Sequence, residues 1–156
     1  MGLNQYRAKR RFSGTPEPPG KEPLPPESGE AIFVIQKHQA SHLHWDLRLQ
    51  EDGLLKSWAV PKEPPTESGV RRLAVEVEDH PLEYARFEGL IPEGGYGAGR
   101  VEIWDQGTYL PLETDPDKRV FELRGTRLRG TFVLLRLKPR LAEDRNWLFF
   151  KLKPKP

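Results

Sequence analysis

The chain has 156 residues, 36% of them hydrophobic and 31% charged, with a formal net charge of +2. That length builds one domain around one core and leaves little for a second, and the near balance of charge excludes a sweeping basic footprint, so a polyanion would be met by local clusters. There is no cysteine, which excludes disulfides and thiolate metal sites and leaves histidines and carboxylates as the available ligands.

Residues 1–30 carry six of the sixteen prolines and almost no aliphatic periodicity. Within them Tyr6-Arg7-Ala8-Lys9-Arg10-Arg11-Phe12 places basic residues between two aromatics, ahead of Thr15-Pro16-Glu17-Pro18. Composition favours a disordered or polyproline-like arm. The competing reading is an arm laid across the domain, bringing arginines to a phosphate-bearing ligand. Residues 31–156 are read as the folded domain.

From Ala31 the character becomes β. Residues 32–38 are rich in Ile, Val and Phe, 43–50 alternate, and Glu51-Asp52-Gly53 supplies a turn before a returning strand at 54–60. Pro61, Pro64, Pro65 and Gly69 make 61–69 a loop. Residues 72–78 alternate again, with Leu73, Val75 and Val77 expected inward and Arg72, Ala74, Glu76 and Glu78 on the other face. Residues 82–87 suit a short helical turn, and the five glycines of 89–99 make a loop able to approach a ligand or another strand closely. Further strands are expected at 101–105, 119–123, 131–137 and 147–152. Eight short strands punctuated by Gly and Pro predict a mainly β fold, either barrel or sandwich.

The chemistry concentrates in one strand. His42, His44, Asp46 and Arg48 alternate with Leu43, Trp45, Leu47 and Leu49. Side chains two apart on a strand share a face, so the polar four are expected on one side and the apolar four in the core. Two imidazoles and a carboxylate suit Mn, Zn or Fe(II), and His38 lies one short turn away. All four histidines of the chain (38, 42, 44 and 80) fall in or near this region. The plainer alternative is a surface strand with incidental histidines, or a histidine bonded to Asp46. Arg48 offers a fork for phosphate, or a salt bridge to Asp46 or a glutamate. His80 and Tyr84 are spaced to share one side of a turn; Lys62, Arg71 and Arg72 either line a substrate path or are simply solvated. Trp45, Trp58, Trp104 and Trp147 are read as packing residues.

The segments FVIQKHQASHLHWDLRL, SWAVPK, EVEDHPLEYARFEGLIPEGGYGAG and VEIWDQGTY, in that order, resemble the 3′-phosphoesterase domain of bacterial DNA ligase D, a domain that also occurs as a stand-alone protein. The resemblance runs from about Tyr6 to the closing NWLFFKLK segment. It implies a compact single-domain β-barrel with one or two short flanking helices and an N-terminal arm. It implies Mn²⁺-dependent healing of DNA 3′ ends, with Zn²⁺ or Co²⁺ as substitutes: a 3′-terminal ribonucleoside is removed, then the 3′-phosphate, leaving a 3′-hydroxyl for ligation in non-homologous end joining. The substrates implied are primer–templates ending in a ribonucleotide or a phosphate, and the partners a separate ligase, polymerase or Ku. By motif position His38, His44 and Asp46 are the implied metal ligands, and Arg48, His80 and Tyr84 the phosphate-contacting catalytic group. Gln36, Lys62, Arg72, Arg10, Glu17 and Glu78 match secondary positions.

Three positions depart from the family's usual residues: Arg11 stands where the arm commonly has Asp, His42 where Arg is frequent, and Gln50 where Glu is usual. No Lys-x-Asp-Gly nucleotidyl-transfer motif and no polymerase region is present, so the end-processing module alone is expected. No apolar run reaches transmembrane length and no signal peptide is visible, so a cytoplasmic setting without membrane contact is expected. Two other functions compete: a non-haem Fe(II) oxygenase using His44-x-Asp46 with His80, and a non-catalytic nucleic-acid-binding barrel.

Overall fold

Strands β1 (Ala31–Gln39), β2 (Leu43–Glu51) and β3 (Leu54–Val60) form an antiparallel meander in the computed structural model, which describes residues 2–20 and 31–154. Asp52 and Gly53, with φ of 53° and 79°, turn the chain between β2 and β3; positive φ at both central residues is the backbone of a tight hairpin. The register sets Phe33 opposite Leu49, Ile35 opposite Leu47, and Leu47 opposite Trp58. These residues share one face and are almost wholly buried.

The chain continues through β4 (Arg71–His80), a 3₁₀ helix at Leu82–Arg86, β5 (Gly89–Ile91), β6 (Gly99–Asp115), β7 (Lys118–Arg124), β8 (Arg129–Arg136) and β9 (Asn146–Lys151). The sheet runs β1-β2-β3-β4-β9-β8-β7-β6, and β6 pairs back onto β1. Eight antiparallel strands thus close a barrel, which leaves those strands without a free edge; β5 hangs on the start of β6. The barrel expected from the resemblance is what forms. Inside it, Trp58 and Trp147 meet edge to face at 5.6 Å, with Phe121, Phe132 and Phe149 completing the core. Asp105, also buried, accepts the backbone N–H groups of Thr126 (2.8 Å), Arg127 (3.1 Å) and Leu128 (2.8 Å), fastening the β7–β8 turn to β6.

A second apolar cluster lies outside the barrel wall. Val34, Leu55 and Val101 face away from the interior and are roofed by Leu3, Tyr6, Tyr84, Phe87 and Ile91. Tyr6 belongs to helix α1 (Asn4–Ala8) of the N-terminal arm and is fully buried, its hydroxyl donating to the Pro18 carbonyl. Arg7 ties the arm to itself through the carbonyls of Pro19 (3.2 Å) and Gly20 (3.1 Å). Residues 2–20 therefore pack against the barrel, against the disordered arm that composition favours; an aromatic in every turn of this segment (Tyr6, Phe12) supplies the anchor that prolines alone do not. Residues 21–30 of the expected arm lie outside the described residues.

Three expectations are corrected. Leu43 is 45% exposed, so only Trp45, Leu47 and Leu49 of the alternating four enter the core. Leu73 is 41% exposed while Ala74 is fully buried, so the faces of β4 are the reverse of those expected. The register explains the reversal: Ala74 lies opposite the core residue Trp147 and Glu76 opposite Trp58, with the Trp147 indole donating to Glu76 at 3.1 Å. Last, the strand expected at 101–105 is a 17-residue β6, shared between β1 and β7.

Candidate metal centre and phosphate pocket

The outward face of β2 carries His44, Asp46 and Arg48, and the register places His38 of β1 opposite His44 and Gln36 opposite Asp46. One donor atom from each of His38, His44 and Asp46 lies within 4.8 Å of the others. His44 Nε2 is 3.3 Å and His38 Nδ1 is 3.7 Å from Asp46 Oδ2. The remaining ring nitrogens face backbone carbonyls: His38 Nε2 that of Gly97 at 2.6 Å, and His44 Nδ1 that of His42 at 2.9 Å. A carbonyl only accepts, so each of those nitrogens carries the hydrogen, and the neutral ring turns its lone pair toward the carboxylate. Two lone pairs and an anion converging on one point repel unless a cation, proton or metal, sits among them. That donor set fits a divalent transition metal, with His38, His44 and Asp46 holding it. The close approach of Gly97 depends on its lack of a side chain: its φ is +72°, and an added Cβ would stand 3.2 Å from His38 Cε1.

Charge follows the same logic. Burial alone would raise the Asp46 pKa, but the Arg48 guanidinium and the two imidazoles outweigh it and hold the carboxyl far below its usual range. Burial opposes the charged form of His44, yet its hydrogen bond to Asp46 prevails and the pKa is raised. Metal binding at this cluster would accordingly displace a proton.

Arg48 is almost fully buried, and its fork is fixed on three sides: Nε donates to Gln36 at 2.7 Å, one terminal nitrogen to Ser57 at 2.8 Å, and the other lies 3.5 Å from Asp46. Gln36 in turn donates to the carbonyls of Tyr84 (2.7 Å) and Phe87 (3.1 Å), joining the barrel wall to the segment after β4. Between Ser57 and Leu55 the β3–β4 register slips by one residue, from Val77 to His80. The extra residue of that bulge lets Val77, Glu78 and His80 all line the same cavity.

His80 is buried; its Nδ1 donates to the Glu78 carbonyl at 2.9 Å, leaving Nε2 to accept from Arg10 at 3.4 Å. Burial, then the charges of Arg48 and Arg10, push its pKa well below the ordinary histidine value, so at neutral pH it is an uncharged proton acceptor. Tyr84 packs against His80 at 4.7 Å, under the Arg48 guanidinium. Burial raises its pKa, and its hydroxyl donates to Glu17 at 2.6 Å. Arg10 lies over the Tyr6 ring at 4.0 Å, pairs with Glu17 at 2.9 Å and reaches Glu78 at 3.6 Å. Lys9 pairs with Glu78 at 2.9 Å, and although burial raises the Glu78 pKa, that hydrogen bond turns the net shift downward.

These groups enclose a cavity of about 230 Å³, lined by His38, His44, Asp46, Arg48, His80 and Tyr84 on the barrel side and by Arg10 and Glu17 from the arm. Of the other expected site residues, Glu78 lines the cavity, while Gln36 sits beneath it, holding Arg48. His42 does not line it: it lies exposed in the turn before β2, contributing its carbonyl to His44. Lys62 is exposed in the β3–β4 loop, and Arg72 binds the Glu63 carbonyl of that loop at 2.7 Å, so neither lines the cavity. His80 is not part of the three-donor group, so the His44-x-Asp46…His80 triad of an oxygenase does not form. Sequence reasoning gave no role to Ser57, although it opens the SWAVPK segment, or to Tyr96 and the Gly97 carbonyl, although they lie in the glycine-rich GGYGAG segment.

Comparison with known proteins gives the family. The family model for the DNA ligase D 3′-phosphoesterase domain matches residues 36–136. The multifunctional non-homologous end joining protein LigD of Pseudomonas aeruginosa is 48% identical over 97% of this chain and 18% of its own length. The multifunctional non-homologous end joining DNA repair protein LigD of Mycobacterium tuberculosis (strain CDC 1551 / Oshkosh) is 47% identical over 97% of the chain and 20% of its own length. LigD of Mycolicibacterium smegmatis is 44% identical over 97% of the chain and 20% of its own length. The chain belongs to the DNA ligase D 3′-phosphoesterase domain family, and spans about a fifth of the length of these curated relatives.

Proposed function

We propose that the protein is a metal-dependent phosphoesterase that heals DNA 3′ ends, removing a 3′-terminal ribonucleoside and then the 3′-phosphate to leave a 3′-hydroxyl. The observation that carries this reading is the convergence of two imidazoles, a carboxylate, two buried guanidiniums and a neutral histidine on one 230 Å³ cavity. A bound divalent ion, for which Mn²⁺ is our assignment, would polarise a phosphate oxygen and offset charge building on the phosphoryl group. Arg48, held rigid by Gln36 and Ser57, presents fixed positive charge at the cavity floor. Arg10 does the same from the arm. His80 Nε2, uncharged and aimed toward Arg10, accepts a proton in the reaction. Tyr84 holds Glu17, and through it Arg10, in place.

A pure binding platform has no use for a neutral buried histidine beside a ligand-like His–His–Asp group. The names of the relatives place them in non-homologous end joining, and we assign this chain the same setting, with a ligase, polymerase or Ku as its functional partners. Among the described residues no helix is long and apolar enough to cross a membrane. The test is a labelled primer–template ending in one ribonucleotide, incubated with Mn²⁺. Shortened and dephosphorylated products are expected from the wild type and absent from His44→Ala and Asp46→Ala. Full activity in either variant, or in excess EDTA, would reject the ligand assignment.

A further inference from the structure

The loop joining β5 to β6 carries the aromatic Tyr96, 47% exposed, at the mouth of the candidate site. It is not loose. The Gly95 N–H bonds to the Pro92 carbonyl at 3.1 Å, the Ala98 N–H to the Gly95 carbonyl at 3.2 Å, and the next residue, Gly97, is tied to His38. Cations hold the ring as well: Lys9 Nζ lies 4.9 Å and Arg10 Cζ 5.2 Å from its centroid, and Lys9 donates to its hydroxyl at 3.3 Å. An aromatic so fixed, with nearly half its surface open, leaves room for a planar ligand.

Beside it lies a second cavity, of about 550 Å³, within the range that encloses small organic ligands. It shares Arg10, Glu17, Ile91 and Tyr96 with the phosphate pocket, so a group bound there adjoins whatever occupies the first. The arm contributes Lys9, Arg11 and Thr15, and the opposite wall is Glu93 with the backbone of Gly94 and Gly95. The Gly94 position, at φ +86°, has nothing within 4 Å of an added Cβ, so the wall is open there. A π-face, cations at the rim and an open stretch of glycine backbone suit a nucleobase with its attached sugar-phosphate.

We propose that Tyr96 is the stacking platform for the nucleobase of the nucleotide whose 3′ oxygen carries the reacting phosphate, and that the 550 Å³ cavity houses that nucleoside. The inference rests on the phosphoesterase reading and deepens it by assigning the base-binding subsite. It makes the enzyme selective for nucleotide ends over small phosphate esters without selecting a base, since every base has a π-face.

The test uses a single-stranded oligonucleotide ending in 2-aminopurine 3′-phosphate, bound in EDTA so that no turnover occurs. The wild type and Tyr96→Phe are expected to quench the terminal fluorophore. Tyr96→Ala should lose the quench and bind roughly 5- to 150-fold more weakly, the range for one stacked base. An abasic terminal nucleotide should weaken wild-type binding to the same degree and leave Tyr96→Ala indifferent. Retained quenching in Tyr96→Ala, or equal loss on removing the base from either protein, overturns the assignment. With Mn²⁺ the same oligonucleotide separates the two readings. Phosphate release by the wild type without Tyr96-dependent quenching leaves the phosphoesterase and rejects the subsite. Tyr96-dependent quenching without phosphate release does the opposite.

Discussion

Gln36 shows how much of the site depends on a side chain that never meets substrate. It is fully buried, accepts from Arg48 and donates to two carbonyls of the segment after β4. Gln36→Leu takes away the partner of a charged donor, the Arg48 Nε–H, and of the Phe87 carbonyl, while the Tyr84 carbonyl keeps the Phe87 N–H at 3.0 Å. We expect a loss of about 1–3 kcal/mol for each group left orphaned, read as a lower urea midpoint, together with a fall in kcat because Arg48 is no longer held. His80 supplies a second prediction, this one in pH. Its folded pKa lies well below the unfolded value of about 6.5, so between the two the unfolded chain binds more protons and stability falls as pH is lowered. His44, with a raised pKa, slopes the other way: its contribution is present at low pH and lost as pH rises through the folded value. The difference between wild type and His80→Asn, measured in EDTA, isolates the first effect. The stability of the wild type should drop relative to the variant from about pH 6.5 downward, and parallel curves would contradict the burial of an uncharged His80.

At the scale of elements, the N-terminal arm and β4 are where sequence and structure part. The strand carrying His44, Asp46 and Arg48 was legible because strict alternation has only one folded reading when apolar partners such as Trp45 and Leu47 need a core. The faces of β4 were not legible. Val75 and Val77 look like inward residues, but the neighbours decide: Trp58 and Trp147 claim the interior opposite Glu76 and Ala74, and the bulge after Val77 shifts the register again. His42 falls outside the cavity because the strand, and with it the alternation, starts only at Leu43. The arm was ambiguous because proline content speaks for disorder while Tyr6 speaks for docking. Tyr6→Ala, which empties a fully buried aromatic site, should cost about 3–5 kcal/mol of arm docking. Trypsin should then cut after Lys9, Arg10 or Arg11 at urea concentrations where the barrel is still folded, and activity should fall because Arg10 and Glu17 leave the pocket. Resistance equal to the wild type would show that the arm is held by other contacts.

For the molecule as a whole, closure of the barrel by β1 against β6 makes the wall stiff, and the proposed ligands His38 and His44 project from two of its paired strands. A ligand set so preorganised couples ion binding directly to global stability. Mn²⁺ at 100 times its dissociation constant adds about 2.7 kcal/mol, which in a chain of this size raises Tm by about 5–10 °C. Calorimetry should show that rise in the wild type and its absence in Asp46→Ala; an unchanged wild-type Tm would argue against a resident ion. The family resemblance made the barrel legible in advance. Alternation along β2 already put the polar face away from the core; what the sequence hid is the roof over the candidate site, made by the arm, the 3₁₀ helix and β5.

A consequence follows for how such a molecule can change. Along β2 the odd positions Trp45, Leu47 and Leu49 fill the barrel while the even positions His44, Asp46 and Arg48 furnish the cavity outside it. Deleting or inserting a single residue there would swap the two sets at once, pressing charge into the hydrocarbon interior and turning indole and leucines into the cavity. The strand therefore tolerates exchange of side chains but not odd-numbered changes of length.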